Sequence, residues 1–167
     1  MITDNSYPRR NPTALLSSVS SDSHTWNLVY LELVLAEAGY DVHNLGPCVP
    51  DELLIENGRR YRPDLIVISS VNGHGASDGT RLIQRIRADA ALAGTPVVIG
   101  GKLGTDGTAG AVERERLLLS AGFAAVFEDA TDLSPFLAFA AGVHRAVSTA
   151  TGRIPDEHTE RYVAVRM

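Results

Sequence analysis

The stretch that decides the fold is Leu65-Ile66-Val67-Ile68-Ser69-Ser70-Val71-Asn72-Gly73-His74-Gly75. Its opening run is apolar throughout, with no polar–apolar alternation, as expected of a strand covered on both faces. A polar, glycine-bearing loop ends the run, and an amphipathic stretch follows over 80–91. The same succession recurs along the chain. Short apolar runs lie at 14–19, 40–45, 65–69, 97–99 and 124–127, separated by helix-like stretches at 28–38, 51–61, 80–91, 111–121 and 135–147. Over 28–38, Leu28, Leu31, Val34, Leu35 and Ala38 recur at spacings of three and four, which places them on one helical face. Gly39 and Gly122 follow two of these helices where a left-handed residue closes a helix. Ser134 followed by Pro135 predicts an N-cap and first helical position for the last one.

Five strands alternating with five helices predict a parallel α/β sheet with helices on both faces. Right-handed crossovers leave few topologies, and a flavodoxin-like (Rossmann-type) five-stranded order of 2-1-3-4-5 is expected. Ligands of such sheets bind beyond the carboxyl ends of the strands, where the strand order reverses. Attention therefore falls on the loops after strands one, three and four.

The chain has 167 residues, with 15 Lys plus Arg against 20 Asp plus Glu, giving a net charge of −5. That balance, without a basic cluster, argues against nucleic acid as a partner. With 44% hydrophobic and 21% charged residues the composition is that of a folded domain. One cysteine, Cys48, excludes an internal disulfide framework and fits a reducing compartment. No apolar run approaches the roughly 20 residues of a membrane span, and the first residues hold no secretory signal core. The expectation is a cytoplasmic domain at 13–147, with a flexible lead-in at 1–12 and a polar extension at 148–167.

After the first strand comes Ser20-Ser21-Asp22-Ser23-His24-Thr25-Trp26-Asn27; after the fourth comes Gly100-Gly101-Lys102-Leu103-Gly104-Thr105-Asp106-Gly107. Asp22 and His24 form a carboxylate–imidazole unit if their side chains meet. The carboxylate then fixes the ring tautomer and leaves the other nitrogen as a base or metal ligand. The plainer reading has Asp22 or Ser21 capping the next helix and His24 solvated in a loop. Gly100-Gly101 allows either a tight turn out of the strand or the close approach of a ligand. Ser69 and Ser70 satisfy local backbone groups or bond a buried ligand. His43 reads as a packed strand residue, His74 as a loop residue and Cys48 as structural.

Asp22-Ser23-His24 with Asn27 three residues on resembles the D-x-H-x-x-G motif of cobalamin-binding domains of the base-off/His-on type. Ser69-Ser70-Val71 is similar to that family's S-x-L, and Gly100-Gly101 to its G-G. Within the family the likeness is strongest to the small subunits of glutamate mutase (methylaspartate mutase). It is carried by SDSH, AGYDVHNLG, PDELL, SSVNGHG and IGGKLG, and extends over residues 13–142.

The resemblance implies adenosylcobalamin as cofactor, with His24 as lower axial ligand to cobalt and Asp22 bonded behind it. Ser21, Ser23, Thr25 and Asn27 would surround that histidine. Ser69, Ser70, Val71 and Gly73 would border the channel for the displaced nucleotide tail, with Gly100, Gly101, Lys102, Leu103 and Gly104 as its opposite wall. Of the family's P-G-T near strand five, only Thr131 carries over into Asp129-Ala130-Thr131. Asn27 stands where the motif has glycine, putting a bulkier wall beside the tail, although Asn tolerates the left-handed conformation. The resemblance also implies a mutase isomerising a small amino acid held by a separate barrel-type catalytic subunit. Corrinoid methyl carriers resemble this domain preceded by a helical bundle, and only about 12 residues precede strand one here. A corrinoid carrier or sensor module, and a flavodoxin-like interaction protein without cobalamin, are the alternatives. FMN binding lacks its phosphate loop.

Overall fold

Each apolar run of the sequence becomes a strand, and the polar loops between them gather at one edge of the sheet. The computed structural model describes residues 10–129 and 131–150. The elements are β1 (Thr13–Ser18), α1 (Trp26–Glu37), β2 (Asp41–Asn44), α2 (Asp51–Tyr61), β3 (Leu65–Ser70), α3 (Gly75–Ala88), β4 (Val97–Gly101), α4 (Ala111–Ala121), β5 (Ala125–Glu128) and α5 (Ser134–Ala150). All strand pairs are parallel and the order is β2-β1-β3-β4-β5, as expected from the alternation.

Parallel strands crowd apolar side chains onto both faces, and each face has its own core. Leu15, Ile66, Ile68, Val97 and Ile99 pack against Leu54 and Ile55 of α2, Leu82, Ile83 and Ile86 of α3, and Leu118 of α4. Ala14, Leu16, Leu65, Val67 and Val98 face Leu28 and Leu35 of α1 and Phe136 and Ala140 of α5. The second layer therefore has two helices where the first has three. Toward the carboxyl edge its side chains shrink: Ser18, Ser69, Gly100 and Phe127 lie side by side across β1, β3, β4 and β5.

Several element ends differ from the sequence reading. α3 begins at Gly75, five residues before its apolar periodicity starts, and ends at Ala88. Its first turns hold small residues because the sheet is close: a Cβ on Gly75 would meet Leu103 at 2.7 Å, and one on Gly79 would meet Ile99 at 2.6 Å. α1 starts at Trp26 and, as expected, is followed by Gly39 at φ +86°; Gly122 follows α4 at φ +124°. In α5, Ser134 is the first helical residue and does not cap. Asp132 takes the Ser134 N–H at 2.9 Å and its hydroxyl at 2.7 Å. The same helix continues to Ala150, so 148–150 belong to the domain, and Ser148 is buried. The rest of the expected extension, 151–167, lies outside the described residues, as do residues 1–9 of the lead-in.

Residues 10–12 are anchored rather than loose. Arg10 donates to Asp64 at 3.1 Å, Asn11 to Asp41 at 3.2 Å, and the Pro12 carbonyl accepts the Asp41 N–H at 2.9 Å. Among the described residues no helix is long and apolar enough to cross a membrane.

Ile66 is fully buried in the central strand. Ile66→Ala should lower stability by about 2–5 kcal/mol, the usual cost of an aliphatic cavity. Urea denaturation reads this as a lower midpoint at unchanged slope.

Candidate functional site

The site is built on a tight turn after β1. Asp22 donates its N–H to the Val19 carbonyl at 3.1 Å, and its own carbonyl accepts the Cys48 N–H at 2.8 Å. Its side chain is fully buried. Oδ1 accepts the His24 N–H at 2.9 Å, an Asx turn closed two residues on. The same oxygen lies 2.6 Å from His24 Nδ1, and Oδ2 accepts the Val71 N–H at 2.6 Å. Burial pushes the Asp22 carboxyl up, but the His24 and Val71 N–H groups, the His24 ring and the Ser70 hydroxyl outweigh it. Together they hold the carboxyl below its ordinary 3.8. Asp22 does not cap α1. Thr25 occupies the cap position with no side-chain bond, so the plainer reading of the loop fails for its carboxylate.

The imidazole of His24 is mostly exposed, at 59%. In the neutral ring whose Nδ1–H faces the buried carboxylate, Nε2 carries the lone pair, and it has no partner among the described residues. This is an outward-facing ligand or base, oriented by its neighbour. Ser23 and Thr25 flank it on the surface.

The loop is pinned from below by residues that carried no signal in the sequence. Asn72 donates Nδ2 to the Ser21 hydroxyl at 2.9 Å and to the Ser21 carbonyl at 3.0 Å. Its Oδ1 accepts the Ser70 hydroxyl at 3.1 Å and the His74 N–H at 2.9 Å. Ser21 in turn donates to Asp78 of α3 at 2.5 Å. Burial raises the Asp78 carboxyl, yet the Ser21 hydroxyl and the Arg81 guanidinium bring it below its ordinary value. Arg81 also reaches Ser20 at 3.0 Å and Asp51 at 2.9 Å, tying α2 and α3 to the same turn. Only the partners' positions in space make Asn72 and Asp78 recognisable, since both sit among ordinary loop and helix-start residues.

Beside the turn a cavity of about 480 Å³ runs between the sheet and the helices α1 and α5. Val71, which bonds Asp22 through its N–H, also lines this cavity, so the two features share a wall. The floor is Val67, Ser69, Gly100 and Gly101; Asn27 lies at the α1 side, and Lys102 and Thr131 also line the cavity. The apolar walls were not anticipated: Tyr30 and Leu31 come from α1, Phe127 from β5, and Leu133 and Phe136 from the start of α5. Helical periodicity marks such residues as core and cannot distinguish a core wall from a cavity wall.

Two glycines of the floor are tightly packed against neighbouring strands. A Cβ on Gly100 would press on the Phe127 carbonyl at 3.0 Å. Gly101 has φ +107°, and a Cβ there would strike the Ser70 carbonyl, so only glycine fits. Its carbonyl receives the Asp129 N–H at 2.9 Å.

Four residues expected along the channel stand elsewhere. Ser70 points to the opposite sheet face from Ser69, where its side chain contacts the space beside Gly75. Leu103 is fully buried in the α3 core, and its carbonyl accepts the Ala76 N–H at 3.0 Å. Gly73 and Gly104 face each other and Thr105 where the two loops cross. These residues shape the loops, and the cavity is lined by their neighbours. Asn27 is the second residue of α1 and does not take a left-handed conformation, because the helix starts before it. Its Nδ2 donates to the Ser69 hydroxyl at 2.5 Å. His43 stacks on Tyr61 with centroids 3.8 Å apart, His74 is exposed before α3, and Cys48 is an exposed free thiol.

A fold with a buried carboxylate behind an exposed histidine, at the edge of a ligand-sized cavity, defines a class of cofactor-binding α/β domains. Residues 12–135 match the B12 binding domain, and the chain belongs to that family. Its curated relatives include glutamate mutase sigma subunits. That of Halobacterium salinarum is 32% identical over 93 residues, 56% of this chain and 61% of that subunit. The chain thus spans less than two thirds of that relative. The sigma subunit of Carboxydothermus hydrogenoformans is 31% identical over 117 residues, 70% of this chain and 84% of that one.

Among solved structures, a cobalamin-binding protein from Desulfitobacterium hafniense superposes with a TM-score of 0.60 at 18% identity, over 81% of this chain and 57% of that one. A signal receiver domain of a histidine kinase from Syntrophus aciditrophicus gives 0.61 at 15% identity, over 81% and 92%. These two likenesses concern the fold alone.

Asp22→Asn should cost about 1–3 kcal/mol at neutral pH, because an amide cannot accept all the N–H groups that the carboxylate accepts. A carboxyl held below 3.8 stabilises the fold fully above that value. Its contribution fades as pH falls through the lowered folded value. Urea denaturation of both proteins should therefore show a gap that narrows on acidification below pH 3.8.

Proposed function

We propose that this chain is the adenosylcobalamin-binding subunit of a carbon-skeleton mutase that interconverts L-glutamate and 3-methylaspartate. The buried Asp22 carboxylate bonded to His24 Nδ1 at 2.6 Å, with Nε2 facing outward beside the cavity, carries the reading. A corrin ring brings most of cobalt's ligands itself, so one imidazole nitrogen is all the protein must add.

The residues present fit such a group. The cavity volume of about 480 Å³ suits a compact organic tail. Ser69, Gly100 and Gly101 form part of its floor, and Asn27 Oδ1 is a buried acceptor with no partner among the described residues. When bound, adenosylcobalamin supplies the radical chemistry that moves a carbon group between neighbouring positions.

The rest is the work of this chain. His24 Nε2 would be the protein's ligand to the metal, the base-off/His-on mode. Asp22 holds Nδ1 and so keeps the ring from turning, with Nε2 directed outward. Ser69, Asn27 and Thr131 offer polar groups to the tail, while Phe127, Leu133 and Phe136 exclude water from around it. A separate barrel-type catalytic subunit would hold the amino acid against the bound cofactor. The relatives named glutamate mutase sigma subunit support that division of labour. We place the pair in the cytoplasm, where the exposed thiol of Cys48 stays reduced.

Reconstitution of the full chain with adenosylcobalamin, followed by visible absorption, tests the binding mode. The wild type should give a base-off spectrum with a nitrogen ligand, and His24→Ala should lose it. Asp22→Asn should weaken affinity about 10- to 100-fold, as loss of a ligand's orienting partner usually does. Glutamate and 3-methylaspartate should interconvert only with the catalytic subunit added. A corrinoid spectrum without turnover would move the chain to the carrier or sensor class. The absence of corrinoid binding would make it an interaction scaffold.

A further inference from the structure

Asn27 sits where the cavity, α1 and β3 meet, and its two amide ends have different fates. Because Asn27 lies in the first turn of a helix, its side chain leans back toward the helix start and onto the sheet. There Nδ2 donates to the Ser69 hydroxyl at 2.5 Å. Oδ1 is buried and has no hydrogen-bond partner among the described residues, although Asn27 lines the cavity. A buried carbonyl without a donor is costly, and the cost is removed by a ligand that brings one. A site with such a group rejects ligands that leave it unpaired.

We infer that Asn27 is a specificity-determining residue for the corrinoid's tail. Its Oδ1 accepts a hydrogen bond from a hydroxyl or amide N–H carried by that tail. Ser69 holds the other end of the amide at the cavity wall. The inference rests on reading the cavity as the tail channel, and adds a preference that His24 cannot supply, since the histidine touches only the metal. Asn27 is then a selective wall rather than an obstruction left by the loss of a glycine.

The experiment compares two probes that share a corrin ring: cobalamin, and cobinamide, which lacks the nucleotide. Both are titrated into the full-length wild type, Asn27→Ala and Asn27→Gly, with visible absorption as the readout. Asn27→Ala should weaken cobalamin binding roughly three- to tenfold, the equivalent of one hydrogen bond, and leave cobinamide unchanged. Asn27→Gly should behave alike, which separates the loss of the amide from the loss of helix propensity. Circular dichroism and urea denaturation establish that both variants fold.

Cobalamin affinity that is unchanged or tighter in the folded variants would overturn the inference. So would an equal loss for both probes, which is what a purely structural role predicts. His24→Ala keeps the two readings apart. If the wild type shows the histidine-ligated spectrum and Asn27→Ala is neutral, only the role of Asn27 falls. If the wild type binds neither corrinoid, both readings fall.

Discussion

A carboxylate buried without a lysine or arginine bonded to it among the described residues is the constraint around which this edge of the molecule is arranged. Asp22 is fully buried, and what keeps it ionised is hydrogen bonding from the His24 N–H, the His24 ring and the Val71 N–H. Each of those donors comes at a structural cost. The turn must close within two residues, the loop after β3 must present its first N–H toward β1, and the imidazole must lie over the carboxylate. The ring's orientation thus follows from the need to satisfy a buried charge. The arrangement leaves Nε2 without a partner among the described residues.

The second constraint is the unequal filling of the two sheet faces. The α2–α3–α4 face is packed by leucine and isoleucine up to the carboxyl edge, including Leu103 from the β4 loop. On the α1–α5 face the last row across the strands is Ser18, Ser69, Gly100 and Phe127. Serine and glycine cannot fill the gap that two helices leave over a twisted sheet, so a cavity opens there. Its position beside the Asp22 turn is set by parallel topology, which brings all the carboxyl ends to one edge. The receiver-domain likeness concerns this fold alone, and a fold by itself does not fix a function.

How far this could be read in advance differs residue by residue. The spacing of Asp22 and His24 allowed either a pair or a helix cap beside a solvated histidine, and the burial of Asp22 against the Val71 N–H decided for the pair. The helices α2 and α4 have the limits that their periodicity marks, Asp51–Tyr61 and Ala111–Ala121. The start of α3 could not be read, since Gly75 and Gly79 have no side chains to show a period. Ser69 and Ser70 looked equivalent in the chain. A continuous apolar strand carries no alternation to reveal which residue faces which helix, and a shift of one position reverses every side chain.

The amino-acid sequence by itself determined the alternation of buried strands and amphipathic helices, hence the parallel sheet and its order. It also set Asp22 and His24 at a spacing that a local turn can close, because apolar periodicity and close-range bonding are properties of neighbours along the chain. Tertiary structure alone decided that Ser69 faces the cavity while Ser70 faces away, and that Leu103 is core. It alone decided that Asn72 and Asp78 brace the histidine loop, and that Asn27 is helical with one amide end unpaired. Those facts depend on strand register and on which helix covers which face, quantities that arise only when residues 40 to 60 positions apart come into contact.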